Sequence, residues 1–133
     1  MQLIVRTDGG ARGNPGPAGF GVVIEKPGGE ILERHAEFIG RATNNQAEYQ
    51  ALLWGLRRCL VLGAKQVEVL SDSELLVKQM NGQYRVKNPA LGQLFLKAKN
   101  AEIAIGRVHY RHVRREQNKL ADALANEAMD RGR

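Results

Sequence analysis

Four acidic residues stand where a solvated surface acid would not be needed. Asp8 closes the β-rich run "QLIVRTD" and is followed at once by Gly9 and Gly10. Asp72 closes a second such run, "QVEVLSD", just before a helix-like stretch. Glu48 falls on the stripe 48, 52, 55, 59 and 62, whose other members are Leu52, Gly55, Cys59 and Leu62. Its carboxylate therefore extends an apolar helix face. Asp122 lies in "LADALA", at the flank of a terminal helix's apolar side, with Asn118 one turn before it. Glu25, Glu33, Glu102 and Asp130, by contrast, read as ordinary surface acids. Taken singly, Asp8 or Asp72 reads as a turn or cap residue, Glu48 as a complement to the helix dipole and Asp122 as solvated. Four such acids brought together without a cation would repel one another. Convergence on Mg²⁺ or Mn²⁺ removes that penalty, because hard divalent ions prefer carboxylate oxygens. Spacing alone leaves open whether they converge.

The elements that must position these acids follow from periodicity. Residues 2–8, 19–26 and 30–40 alternate as strands, the last two joined at the turn signal Pro27-Gly28-Gly29. From Asn45 to Leu62 the apolar residues recur with helical spacing; Thr43, Asn44 and Asn45 are plausible caps and Gly63 a plausible stop. A strand at 66–72, a short helix at 73–81 and a helix from Asn88-Pro89 to about Asn100 come next. A strand at 105–113 and a terminal helix at 118–130 complete the chain. The order β-β-β-α-β-α-α-β-α predicts an α/β fold with a mixed sheet, antiparallel where hairpins join strands and parallel where helices cross over. Carboxyl ends of strands, next to helix starts, are where such sheets form sites.

The bulk properties agree with a single domain spanning 1–133. Of its residues, 43% are apolar and 26% charged, an ordinary globular balance. The net charge of +6 points to a polyanionic partner such as nucleic acid. Cys59 is the only cysteine, which excludes an internal disulfide and reads as a small buried hydrophobe. No signal peptide and no bilayer-spanning run is evident, so a soluble, cytoplasmic protein without membrane association is expected. Tyr49, Trp54 and Phe95 read as packing residues at helical positions.

Four segments, "TDGGARGNPGPAGFGVVI", "ATNNQAEYQALLWGL", "VLSDSELLVKQMNGQYRVKNP" and "HVRREQNKLADALANEA", resemble the signature segments of type 1 ribonuclease H, in that family's order and with one of the acids in each. The likeness is to the compact bacterial and archaeal branch, which also occurs as the front domain of longer proteins. It implies the ribonuclease H-like fold, a five-stranded sheet ordered 3-2-1-4-5 flanked by helices. It also implies endonucleolytic cutting of the RNA strand of RNA–DNA hybrids, leaving 3′-hydroxyl and 5′-phosphate ends. The family's metal ligands fall on Asp8, Glu48, Asp72 and Asp122. They imply two Mg²⁺ ions about 4 Å apart, Mn²⁺ being a possible substitute. Asp8 would bridge the two ions, Glu48 would hold one and approach the ribose, and Asp122 would bind most loosely. Asn14, Asn44 and Gln79 are implied at the minor groove, the Gly9-Gly10 backbone near the RNA, and Thr43 at a DNA phosphate. Asn14 and Thr43 also read as a turn residue and a cap. No obligate protein partner is inferred, and a monomer is expected.

The sequence departs from the family in two places. Relatives carry a histidine in the loop before the last acid; here that loop is "RREQN". Arg115 takes the position, with Arg114 the competing choice, and a guanidinium cannot serve as an ordinary base. His112 lies earlier, within the last strand, and reads as structural. The basic helix and loop of some relatives is replaced by a short link carrying Arg85 and Lys87, and no hybrid-binding domain is expected before Met1, so modest, salt-dependent binding is expected. Two rival functions are weighed. Four-acid exonucleases place Tyr or His where this chain has Asn118, which argues against them, and a catalytically weak hybrid-binding module of the same fold is disfavoured because all four acids are present.

Overall fold

Three strands leave the N-terminus as an antiparallel meander in the computed structural model, which describes residues 1–133. They are β1 (Gln2–Ala11), β2 (Gly16–Glu25) and β3 (Ile31–Ala42). The helix α1 (Asn44–Val61) then crosses to β4 (Gln66–Ser71), which pairs parallel with β1. Two helices, α2 (Glu74–Met80) and α3 (Pro89–Ile105), lead to β5 (Arg107–His112), parallel to β4. A 3-10 turn at Arg115–Gln117 opens onto α4 (Lys119–Arg131). The sheet order is β3-β2-β1-β4-β5, the mixed arrangement that the sequence implies.

Helices cover both faces of the central strands, so β2 is buried along nearly its whole length instead of alternating. Neighbouring residues on β2 mark the two sides. Val22 lies 3.5 Å from where a side chain on Gly55 of α1 would begin, while Gly21 is backed by α4. A Cβ on Gly21 would stand 2.3 Å from the Ala121 carbonyl oxygen, so only glycine lets α4 settle this close. Leu3, Val5, Phe20, Leu52, Leu56 and Val67 belong to the core between sheet and helices. Cys59 is fully buried among them, and Tyr49 joins the core with its hydroxyl donating to Gln79 Oε1 at 2.7 Å.

Helix boundaries follow their caps. Thr43 accepts from Gln46 N while the Gln46 side chain accepts from Thr43 N, a reciprocal capping box at the start of α1. Asn88 caps α3 ahead of Pro89. That helix runs past Asn100 to Ile105, because Ala101 and Ile105 continue its buried side, and Gly106 at φ +118° ends it. The strand β1 likewise runs past Asp8. Gly9, Gly10 and Ala11 pair with Phe20, Gly19 and Ala18, which confines the turn to Arg12–Pro15. Gly9, directly after Asp8, serves close packing against α1 rather than a turn. Glu25 is buried rather than superficial, its Oε1 receiving Arg6 Nε at 3.3 Å. His112 is exposed at the end of β5. No helix is long and apolar enough to cross a membrane.

Candidate active site

The parallel ladder between β1 and β4 ends at the pair Thr7 and Ser71. Asp8 and Asp72 are the next residue of each chain segment. Their side chains therefore meet where the ladder opens, and this placement, not a strand end at Asp8, creates the site. From above, α1 brings Glu48. A Cβ on Gly9 would lie 2.4 Å from the Ala47 carbonyl carbon, so glycine is what allows the helix to approach β1 this closely. One carboxylate oxygen from each of Asp8, Glu48 and Asp72 lies within 4.8 Å of the others.

Asp122 enters from the first turn of α4 and lines the same cavity of about 420 Å³, with its side chain partly exposed. Its Oδ1 faces Arg115 Nη2 at 3.4 Å, and Arg115 itself is largely solvent-exposed. The loop thus directs Arg115 into the cavity lining, whereas Arg114 is absent from it.

Burial and mutual repulsion govern the protonation of these acids. Asp8 is pushed up to about 8, chiefly by loss of water and then by the charges of Asp72 and Asp122. Glu48 is raised well above the ordinary carboxylate range for the same first reason, then by Asp8 and Asp72; the Gly9 backbone N–H opposes the shift only in part. Glu48 Oε1 is buried with no hydrogen-bond partner. A set of hard carboxyl oxygens, one of them buried without a hydrogen-bond partner, suits a divalent cation, which would supply the charge that the protein withholds.

The other sequence-derived candidates divide into two groups. Gly9, Gly10 and Asn44 line the carboxylate cavity. Asn44 Oδ1 accepts from Ala11 N at 2.7 Å, and Asn44 N donates to Asn14 Oδ1 at 3.0 Å, so this pair ties the β1–β2 turn to the start of α1. Thr43 is occupied as the cap of α1. Gln79 stands apart, buried beneath Tyr49 and lining a separate groove with Tyr84 and Phe95.

Two contributors had no clear signal in the sequence. Asn118 is 1% exposed and donates from Nδ2 to the Thr7 carbonyl at 2.9 Å, while its own carbonyl accepts from Asp122 N at 3.0 Å. It thereby joins the residue before Asp8 to the helix turn that carries Asp122. Its place one turn before Asp122 was the only available pointer. Arg12 also lines the cavity and is held by Asp130 and Asn126 of α4.

Comparison with known proteins places this geometry. A family model described as reverse transcriptase-like matches residues 6–128. The bifunctional protein Rv2228c of Mycobacterium tuberculosis is 45% identical over 98% of this chain, which spans only 36% of that protein's length. The structure of its N-terminal RNase H domain superposes with a TM-score of 0.96 at 44% identity, covering 98% of this chain and 95% of that one. The ribonuclease H of Lachnoclostridium phytofermentans is 31% identical over 99% of this chain and 94% of its own length. LC11-RNase H1, isolated from compost and solved in complex with an RNA/DNA hybrid, is 46% identical with a TM-score of 0.93, over 97% of each chain. The mixed sheet, the opening of its parallel ladder and these relatives agree, and the chain belongs to the ribonuclease H family, type 1.

Proposed function

We propose that this chain hydrolyses the RNA strand of RNA–DNA hybrids by internal cleavage, leaving 3′-hydroxyl and 5′-phosphate ends. The observation that carries the reading is the approach of Asp8, Glu48 and Asp72 from three separate elements to within 4.8 Å. The hybrid bound in the related LC11-RNase H1 structure supports the substrate class.

Asp8, Glu48, Asp72 and Asp122 would hold two Mg²⁺ ions, with Mn²⁺ as a substitute. Held by these residues, the ions would supply an activated water and charge stabilisation at the departing 3′ oxygen. The chain's own part is positional. Asp8, which interacts with each of the other three acids, would take a leading part in holding the ions, and Glu48 would also face the ribose at the cut. Arg115, on the exposed rim, would move from Asp122 to the negative charge that builds on the phosphate. Its guanidinium stays charged, so it would act by attraction and not by accepting a proton.

Asn14 and Asn44, with the Gly9-Gly10 backbone, would meet the minor groove, where 2′-hydroxyls distinguish RNA from DNA. Thr43 would sit near a DNA phosphate, and Gln79 would take part only at the margin of the bound duplex. The 133 residues would act as one domain and as a monomer.

The test is a labelled hybrid incubated with Mg²⁺, Mn²⁺ or a chelator. Internal cuts confined to the RNA strand and abolished by chelator are expected. Stepwise release from ends would assign an exonuclease instead, and binding without any cutting would leave a hybrid-binding module.

A further inference from the structure

Arg12 follows β1 directly and lines the carboxylate cavity. Its backbone is fixed. Arg12 N donates to the Pro17 carbonyl at 2.8 Å, and a Cβ on Gly16 would lie 2.0 Å from the Arg12 carbonyl oxygen, so the turn closes tightly at this residue. The hydrogen bond from Asn44 N to Asn14 Oδ1 fastens the same turn to α1. The side chain, by contrast, is held by groups that it can leave. One guanidinium nitrogen donates to Asp130 Oδ1 and the other terminal nitrogen to Asn126 Oδ1 at 3.3 Å. Asn126 Nδ2 donates in turn to the Asp122 carbonyl at 3.0 Å, which joins Arg12 to the helix turn that carries that acid. The side chains of Arg12 and Asp130 are 47% and 66% exposed. Asn126 lines the cavity with Arg12, whereas Asp130, farther along α4, does not.

We infer that Arg12 exchanges Asp130 for a backbone phosphate of the bound hybrid, so that Asp130 sets hybrid affinity by competing with the substrate for one guanidinium. The inference rests on the hybrid reading above for its ligand. An exposed ion pair is weak, because water screens the charges and two mobile side chains must be held still. A phosphate accepts the planar guanidinium fork through two parallel bonds, and therefore displaces a carboxylate that holds only one nitrogen. The chain's firmer clasp looks different. Arg58 meets Glu33 through two nitrogens at 2.6 Å each, across α1 and β3, whereas Arg12 gives Asp130 one. A fixed backbone with a loosely held tip is what such an exchange needs, since the cation stays at the cavity while its partner changes. Asn126 keeps its hold on the Asp122 turn throughout, so the exchange leaves the acids in place.

The test is a double-mutant cycle on hybrid affinity, read by anisotropy of a labelled hybrid with the whole chain in chelator. Arg12→Gln should weaken binding about threefold or more and lower the slope of log affinity against log salt by about one. Arg12→Lys, which keeps the charge, should recover most of that slope. Asp130→Asn should tighten binding about threefold, and most of that gain should vanish when Arg12→Gln is also present. A role confined to stability would move the melting temperature of these variants and leave the salt slope alone. Unchanged affinity and slope in Arg12→Gln would overturn the inference. So would an Asp130→Asn gain that persists undiminished with Arg12→Gln, since Asp130 would then act only by repelling the duplex. Failure of the hybrid reading shows separately. Binding without cutting by the native chain in Mg²⁺ would remove the cleavage and leave this exchange standing, whereas no binding by any variant would overturn both.

Discussion

At the scale of single residues, the carboxylate site is a balance between burial and repulsion. Asp8 and Glu48 both hold their protons more tightly than free carboxylic acids because water is excluded and other acids press on them. The sign of the resulting pH dependence is fixed. Between the ordinary aspartate value of 3.8 and about 8, folded Asp8 keeps a proton that the unfolded chain has released. Raising pH through that window therefore favours unfolding. Glu33, held low by Arg58, acts in the opposite sense but only at more acid pH. In chelator, the melting temperature should fall by at least about 3 °C between pH 5 and pH 8. Added Mg²⁺ should flatten that slope, because a bound cation replaces the proton as the compensating charge. A melting temperature that rises steadily over this range would show that the acids do not repel one another. Asp8→Asn removes one buried acid from the group. It should raise the chelator-state melting temperature and retain hybrid binding. It should also lower cleavage by about a thousandfold or more, some 4 kcal/mol of barrier. Full cleavage by this variant, measured on a labelled hybrid, would remove Asp8 from the reaction.

At the scale of elements, the site depends on how β1, α1 and α4 are fastened together. Asn118 makes the link between β1 and α4 with a single buried donor. Asn118→Ala would leave the Thr7 carbonyl without it, a loss of about 1–3 kcal/mol. Thermal melting should register the loss, and kcat should fall while hybrid affinity changes little, because the damage reaches Asp8 and Asp122 rather than the duplex-facing surface. A normal kcat in a destabilised variant would confine Asn118 to stability. The same scale explains what the sequence could reveal. Alternation and helical spacing were enough for all nine principal elements, and the Glu48 stripe was enough to single out its carboxylate. The extent of β1 was not legible, since Gly9, required by the close approach of α1, looks locally like a glycine chosen for a turn. The end of α3 was obscured in the same way, because Ala101 and Ile105 are apolar without saying what they pack against. Glu25 looked superficial because its cover comes from Arg6 across the β1–β2 ladder. Asn118 could not be read as a tie at all, since its partner lies 111 residues away.

For the whole molecule, the net charge of +6 has to be reconciled with a cavity built from acids. Both basic residues that line that cavity are already committed. Arg115 faces Asp122, and Arg12 is held by Asp130. Arg85 and Lys87, exposed on the link between α2 and α3, have no ion pair and are free to meet phosphates. They are the only two basic residues on that link, so few counterions are displaced there and hybrid affinity should be modest. Each phosphate neutralised nevertheless contributes a slope of about 0.7 to 0.9 in log affinity against log salt. Binding of an uncleaved hybrid by Asp8→Asn, measured by anisotropy at several salt concentrations, should give a slope of magnitude about 2 to 4. Arg85→Gln/Lys87→Gln should lower that slope by about one or more while leaving the discrimination between hybrid and duplex DNA intact, since phosphate contacts carry no information about the sugar. An unchanged slope would mean that the duplex does not reach the α2–α3 link. A lost preference for hybrid would mean that this link reads the ribose itself, a task here assigned to the Asn14–Asn44 side of the cavity.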